Sequence, residues 1–185
     1  GLFGDAFDGM MYNQGIATLA LAELYAMTRD ERAGAAAQKG ISFLERAQQS
    51  AGGWDFAASQ TGRNDTSVTG WQVMALKSAQ AAGLHVAPEA LLKAMGHFIR
   101  QSRPGGNMNY ADKEPGMERT EEGMAAVGLA SRIFLGWPRN APAVRESVQR
   151  CMKTLPEWNS WAARQWDGPY SWYYAALGLC QAGGP

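Results

Sequence analysis

Few residues in this chain have the type and spacing that chemistry needs. Asp65, in Gly62-Arg63-Asn64-Asp65-Thr66, is a lone carboxylate just ahead of an apolar run. A carboxylate there either accepts hydrogen bonds from first-turn amides as an N-cap or serves as the acid of a proton-transfer site. Capping is the commoner role, so Asp65 is read first as a cap and second as the candidate catalytic residue. Glu121 and Glu122 stand at the start of another predicted helix, where acids offset the helix dipole. Cys151 and Cys180 form no CxxC pair and have no histidine at ligand spacing. His85, in the turn Gly83-Leu84-His85-Val86-Ala87-Pro88, and His97, on the polar side of a predicted helix, are read as solvated. No metal site is therefore expected, and no cofactor. HExxH, GxSxG, Walker and dinucleotide glycine patterns are absent from the sequence. The densest group of rings is Tyr170, Trp172, Tyr173 and Tyr174, with Trp158, Trp161 and Trp166 just before it.

The elements that must position these residues follow from composition. The 185 residues suit one domain, and the 46% hydrophobic, 18% charged balance is that of a globular chain. Alanine occurs 31 times while valine and isoleucine together occur 10 times, which favours helix and disfavours sheet. Seventeen basic residues balance seventeen acidic ones, so nothing suggests a nucleic-acid or anionic-membrane partner. No basic-then-apolar leader precedes Gly1, and the longest uncharged run, 168–185, is too short and polar for a transmembrane helix. Two thiols leave the compartment open.

Seven helices are predicted, over about 11–27, 31–49, 65–82, 88–101, 120–135, 141–154 and 170–181. Asp30, Asp65, Thr120 and Asn140 suit N-caps, Pro88 and Pro169 suit first turns, and Gly83, Gly136 and Gly183 suit the residue after a helix end. The odd-numbered helices are apolar round most of their circumference and the even-numbered ones are two-faced. In the fourth, Leu91, Leu92, Met95, Phe98 and Ile99 form the apolar face. A helix apolar all round must be covered on both sides, so the pattern predicts inner and outer layers, as in a solenoid or an α/α ring.

The layers repeat. Leu21, Leu76, Leu129 and Leu179 align at spacings of 55, 53 and 50, and Gly15, Gly70 and Gly123 fall in the same register. The four leucines are predicted to be buried at equivalent positions. Repeat units span approximately 5–54, 64–110, 118–158 and a partial 168–185 within one domain, 1–185.

The segment from Lys39 to Trp54 carries a basic residue and Gly40, then Phe43, Leu44, Gln48, Gly52 and Trp54. It resembles the QW motif of squalene and oxidosqualene cyclases. A weaker copy runs through Lys93, Ala94, Phe98, Gln101, Gly105 and Gly106 to Tyr110 in place of tryptophan, and Gly1-Leu2-Phe3-Gly4 resembles the tail of another. The string Asn64 to Gln72 resembles inner-helix starts of bacterial prenyltransferase and squalene-oxidase repeat proteins. The resemblance spans the chain and implies an all-α fold of about seven helices, part of an α/α toroid.

In such a toroid the inner-helix starts open into an apolar cavity, which makes Tyr12, Asn13, Thr66, Trp71, Glu121, Tyr170 and Tyr173 candidate lining residues. Gln48, Gly52, Gly53 and Trp54 are read as structural fasteners, with Trp54 packed on Gln48 in a helix-to-helix turn. The resemblance also says where chemistry would sit. Class II cyclases protonate substrate with a DxDD motif, and the matching place here holds Asp65 alone, with glycine and asparagine where acids are needed. The zinc ligands of protein prenyltransferases and the Cys-Gly-Glu-Gln of thioester domains are missing as well. The preferred expectation is a non-catalytic toroid module that packs against the rest of a longer chain or self-associates, or binds a peptide or apolar small molecule. The alternative is a squalene-cyclase-type isoprenoid enzyme with a degenerate acid motif. Since a ring of this kind has about six helix pairs, the chain reads as a partial one, its ends associating through Met11, Trp172, Tyr173 and Leu177.

Overall fold

The computed structural model describes residues 10–112, 122–153 and 167–183. Seven α-helices account for most of them: α1 Met10–Thr28, α2 Glu31–Ala47, α3 Thr66–Ala81, α4 Pro88–Gln101, α5 Glu122–Phe134, α6 Pro142–Lys153 and α7 Asp167–Ala182. A single 3-10 turn at Pro104–Gly106 follows α4, and the described residues contain no strand. The fold is all-α. The chain forms two compact units, Gly1–His97 and Phe98–Pro185, divided inside α4. In the first, α1 packs on both α2 and α3; in the second, α5 packs on α6 and α7.

The caps explain the helix limits. Asp30 accepts from the Arg32 amide ahead of α2, and Asp65 accepts from the Val68 amide ahead of α3. Asn140 is one residue too early to cap α6. Its first helical residue is Pro142, and the Ala141 carbonyl accepts from the Val144 and Arg145 amides. The turn behind each odd-numbered helix passes through a left-handed residue: Arg29 (φ 56°), Gly83 (85°), Gly136 (89°) and Gly183 (84°). Behind α3 and α5 the closure is the same, with Leu84 N–H on Ala79 C=O and Trp137 N–H on Arg132 C=O, each at 3.0 Å.

These closures give a structural register. Leu76 and Leu129, each seven residues before its glycine, are fully buried. Leu21 and Leu179 are only half-buried. In α1 the place seven before Arg29 belongs to Ala22, which is fully buried, one residue from the predicted leucine.

The turns behind α2 and α4 also match. In the first, the Gln49 amide bonds to the Gly53 carbonyl; in the second, the Arg103 amide bonds to the Asn107 carbonyl, 54 residues on. Gly52 (φ 98°) lies so close to α4 that a Cβ would stand 2.3 Å from the Lys93 carbonyl oxygen. Gly106 (φ 76°) lies on α6 in the same way, its Cβ 2.5 Å from the Glu146 carbonyl oxygen. Each turn therefore rests on the backbone of the following even-numbered helix. This geometry makes Met108, fully buried, the counterpart of Trp54, and Tyr110 falls two residues beyond.

The orientation of α4 departs from its apolar pattern. Ala90, Ala94, His97, Phe98 and Gln101 are buried, whereas Leu92 is 64% and Ile99 55% exposed. His97 is thus an interior residue, not a solvated one. The reason lies in the turn: a helix that receives another backbone at Lys93 must present small residues beside it, and alanine fits where leucine does not.

Gly52→Ala is expected to destabilise the chain far more than Gly83→Ala. Alanine at Gly83 meets no atom within 4 Å and bears only left-handed strain, about 1–2 kcal/mol. Alanine at Gly52 adds a collision with backbone. Urea denaturation of the two variants checks this, and equal losses would contradict the close approach.

Candidate functional site

The residues singled out from sequence converge on the loop between α2 and α3. Gln48, the residue after α2, donates through Nε2 to the Gly52 carbonyl (2.8 Å) and to the Ala90 carbonyl of α4 (2.9 Å). Trp54 is fully buried, and its indole N–H donates to the Leu44 carbonyl in the last turn of α2 at 2.8 Å. Its amide donates to Thr69 Oγ1 and its carbonyl accepts from the Asp65 amide. Both residues donate directed hydrogen bonds to helix-end and turn carbonyls. Gln49, not singled out from the sequence, sews the loop as well: its amide side chain donates to the Ser59 carbonyl and accepts from the Gly62 amide.

Asp65 sits at the bottom of this loop with no solvent exposure. Oδ1 accepts from the Val68 amide at 3.0 Å and from the Ser67 hydroxyl; Oδ2 accepts from Arg63 Nη2 at 2.9 Å. The other nitrogen of that guanidinium meets Asp55 at 2.6 Å, and Asp55 also accepts from Thr61 Oγ1 at 2.7 Å. Two carboxylates thus share one arginine. Arg63 lies over the Phe56 ring, which contacts the Tyr12 ring at 5.7 Å, and the Tyr12 hydroxyl bonds to Ser67. Burial pushes the Asp65 carboxyl above its usual range, against the opposing pull of Ser67, the Val68 amide and Arg63. Three donors of the protein thus engage the carboxylate. A general acid must reach its substrate, and this one is enclosed.

Of the other candidates, Tyr12 joins this cluster, Asn13 is exposed and Trp71 is half-buried. Thr66 is fully buried with its hydroxyl 3.2 Å from His97 Nε2, which places it in the packing of α3 against α4. In the second unit Tyr170 and Tyr173 flank the buried Tyr174 at 5.1 and 5.4 Å between ring centres. Tyr170 is half-buried and Tyr173 is 46% exposed. Partial burial pushes the Tyr173 hydroxyl up from its ordinary value. Glu121, Thr120, Trp158, Trp161, Trp166 and the Gly1–Gly4 segment lie outside the described residues, and so does the Glu122 side chain.

The second unit replaces Gln48 with a different device. Arg132 on α5 is almost wholly buried and donates to Ser147 Oγ at 2.8 Å and Ser102 Oγ at 2.7 Å, with the Trp137 ring 5.4 Å away. Ser147 Oγ in turn lies 2.9 Å from the Ala143 carbonyl and 3.4 Å from the Gly106 carbonyl. Those two carbonyls are the register counterparts of Ala90 and Gly52, the acceptors of Gln48. Burial lowers the Arg132 guanidinium to about 10. Cys151 is buried on α6, its thiol pushed up to about 11 by desolvation, which suits an inert packing residue. No group of three histidine, cysteine, aspartate or glutamate side chains among the described residues is placed to hold a metal ion. No helix among them is long and apolar enough to cross a membrane.

Comparison of the chain with protein-family models, with curated proteins and with solved structures finds no match.

The Asp65 shift carries a sign that can be measured. In the unfolded chain an aspartate titrates near 3.9, below its folded value here. The native state then binds more protons between the two values, so this contribution to stability is full below about pH 4 and is lost as pH rises through the folded pKa. Asp65→Asn keeps a capping oxygen and removes the titration. The unfolding free energy of the wild type minus that of Asp65→Asn is expected to fall as pH is raised from about 4 to 7. A difference that climbs with pH would show that Arg63 and Ser67 outweigh burial.

Proposed function

We propose that this chain is an α/α toroid-type repeat module, of the prenyltransferase and squalene-oxidase repeat kind, that works by binding rather than by catalysis. It packs against further repeats and offers apolar surface to a peptide or apolar ligand. One observation carries the repeat reading: the glycine turns at Gly52 and Gly106 rest on Lys93 and Glu146, 53 residues apart on successive outer helices. The QW-like segment from Lys39 to Trp54 builds the first of these turns. The engagement of Asp65 as cap and ion-pair partner supports the non-catalytic half of the reading.

A squalene-cyclase-type isoprenoid enzyme is the second reading. It draws on the burial that raises Asp65 and on the Tyr12 and Phe56 rings beside it. The experiment that separates the two is incubation with squalene or a prenyl diphosphate, followed by product analysis of wild type and Asp65→Asn. The expected result is no Asp65-dependent product. Turnover that disappears in Asp65→Asn would replace the first reading with the second.

A further inference from the structure

Arg132 is a buried cation whose hydrogen-bond partners are all neutral. Only 1% of it is exposed, and its terminal nitrogens donate to hydroxyls, Nη1 to Ser147 and Nη2 to Ser102. Its Nε is buried as well and has no hydrogen-bond partner. The ion pairs among the described residues are those of Arg32 with Asp30 and of Arg63 with Asp55 and Asp65; Arg132 forms none. Glu146, exposed on α6, acts on it only from beyond ion-pair distance and accepts from the Gly106 amide at 3.2 Å. A guanidinium so placed has lost its water without gaining an opposite charge, which favours an anion beside it.

Ser102 is where that charge can arrive. Of the two hydroxyls on Arg132, Ser147 is fully buried, while Ser102 is half-buried directly after α4. Arg103 is exposed and donates through Nη1 to the Ser102 carbonyl at 3.0 Å and to the Arg100 carbonyl at 3.2 Å. It too forms no ion pair among the described residues. Two guanidinium groups without an acid therefore touch the two oxygens of one residue.

We propose that the Ser102 hydroxyl is a phosphorylation site and that Arg132 and Arg103 receive its phosphoryl group. In the transfer, Ser102 Oγ attacks the γ-phosphorus of a nucleoside triphosphate held by a protein kinase. The Oγ–P bond forms and the bond to the β-phosphate oxygen breaks. The nucleoside diphosphate leaves with that electron pair, and the hydroxyl proton passes to a base of the kinase. The oxygen that Arg132 already touches becomes the ester oxygen, so the terminal oxygens lie two bonds from it. Two effects oppose the product. Esterification removes the proton that Ser102 donates to the Phe98 carbonyl at 2.7 Å, and an anion behind α4 meets the negative end of its dipole. Hydrogen bonds between guanidinium and phosphate are about twice as strong as neutral ones, and here there are two guanidinium groups. The modification ties the end of α4 to α5 through charge.

Two measurements test this. Folded wild type, incubated with ATP and an arginine-directed serine kinase, is expected to carry a phosphate that mass spectrometry maps to Ser102 and that Ser102→Ala lacks. No phosphate at Ser102 would overturn the site. The chain made with phosphoserine at position 102 is then titrated by phosphorus NMR. The second ionisation of phosphoserine lies at about 6 when solvated, and is expected at least about one unit lower here. Arg103→Gln, at an exposed position, is expected to bring it back toward that value, and Arg132→Lys to do so in part, since the fork is lost and the charge kept. Circular dichroism confirms that each variant is folded, and Arg103→Gln carries the comparison alone if Arg132→Lys is not. A phosphate that titrates at its solvated value and ignores Arg103→Gln would overturn the pairing.

Discussion

Where Gly52 meets the Lys93 carbonyl, two backbones come closer than any Cβ permits, and much of the first unit is arranged to hold them there. Gly52, Gly53 and Trp54 are buried in this turn, so its polar groups need partners within the protein. Gln48 supplies a donor to the Gly52 and Ala90 carbonyls, Trp54 to the Leu44 carbonyl, and Asn64 accepts from the Gly53 amide. The second unit solves the same problem with other residues. Gly106 presses on Glu146, Met108 fills the place of Trp54, and Arg132 with Ser147 and Ser102 takes over from Gln48. Two similar turns held by different side chains are what a structural constraint produces, since the backbone contact must be met but the chemistry of its support is free to vary.

This view also accounts for Asp65. Its carboxylate lies at the junction of the 55–65 loop, the start of α3 and the Tyr12 end of α1. Desolvation works against the charge, while one amide, one hydroxyl and one guanidinium compensate for it. Removing a single partner from such a set leaves the others buried and unmatched, so the cluster behaves as a unit.

Most of the helical architecture was legible because local signals agreed: alanine-rich runs, aspartates before α2 and α3, and glycines after α3, α5 and α7. The orientation of α4 was not. Its large aliphatic residues suggested one face, but contact with another backbone at Lys93 selects small ones beside it, so Ala90 and Ala94 turn inward, with His97 and Phe98 on the same side, while Leu92 and Ile99 stay outside. Tyr110 was matched to Trp54 by ring type, although the position is set by distance from Gly106. Leu21 missed its place by one residue because α1 runs one residue further, to its left-handed close at Arg29. The pairing of Asp55 with Asp65 through Arg63 was invisible in the sequence, since it depends on a loop folding back over ten residues rather than on any helical spacing.

That the Gly52 turn rests on α4 and the Gly106 turn on α6 in the same way is open to direct measurement by nuclear Overhauser contacts in solution. Short proton–proton contacts are expected between the Gly52 α-protons and the backbone of α4 around Lys93, and equally between the Gly106 α-protons and the backbone of α6 around Glu146. Both sets present would establish the repeated approach. The first set without the second would contradict it, leaving one tight turn and no repeat.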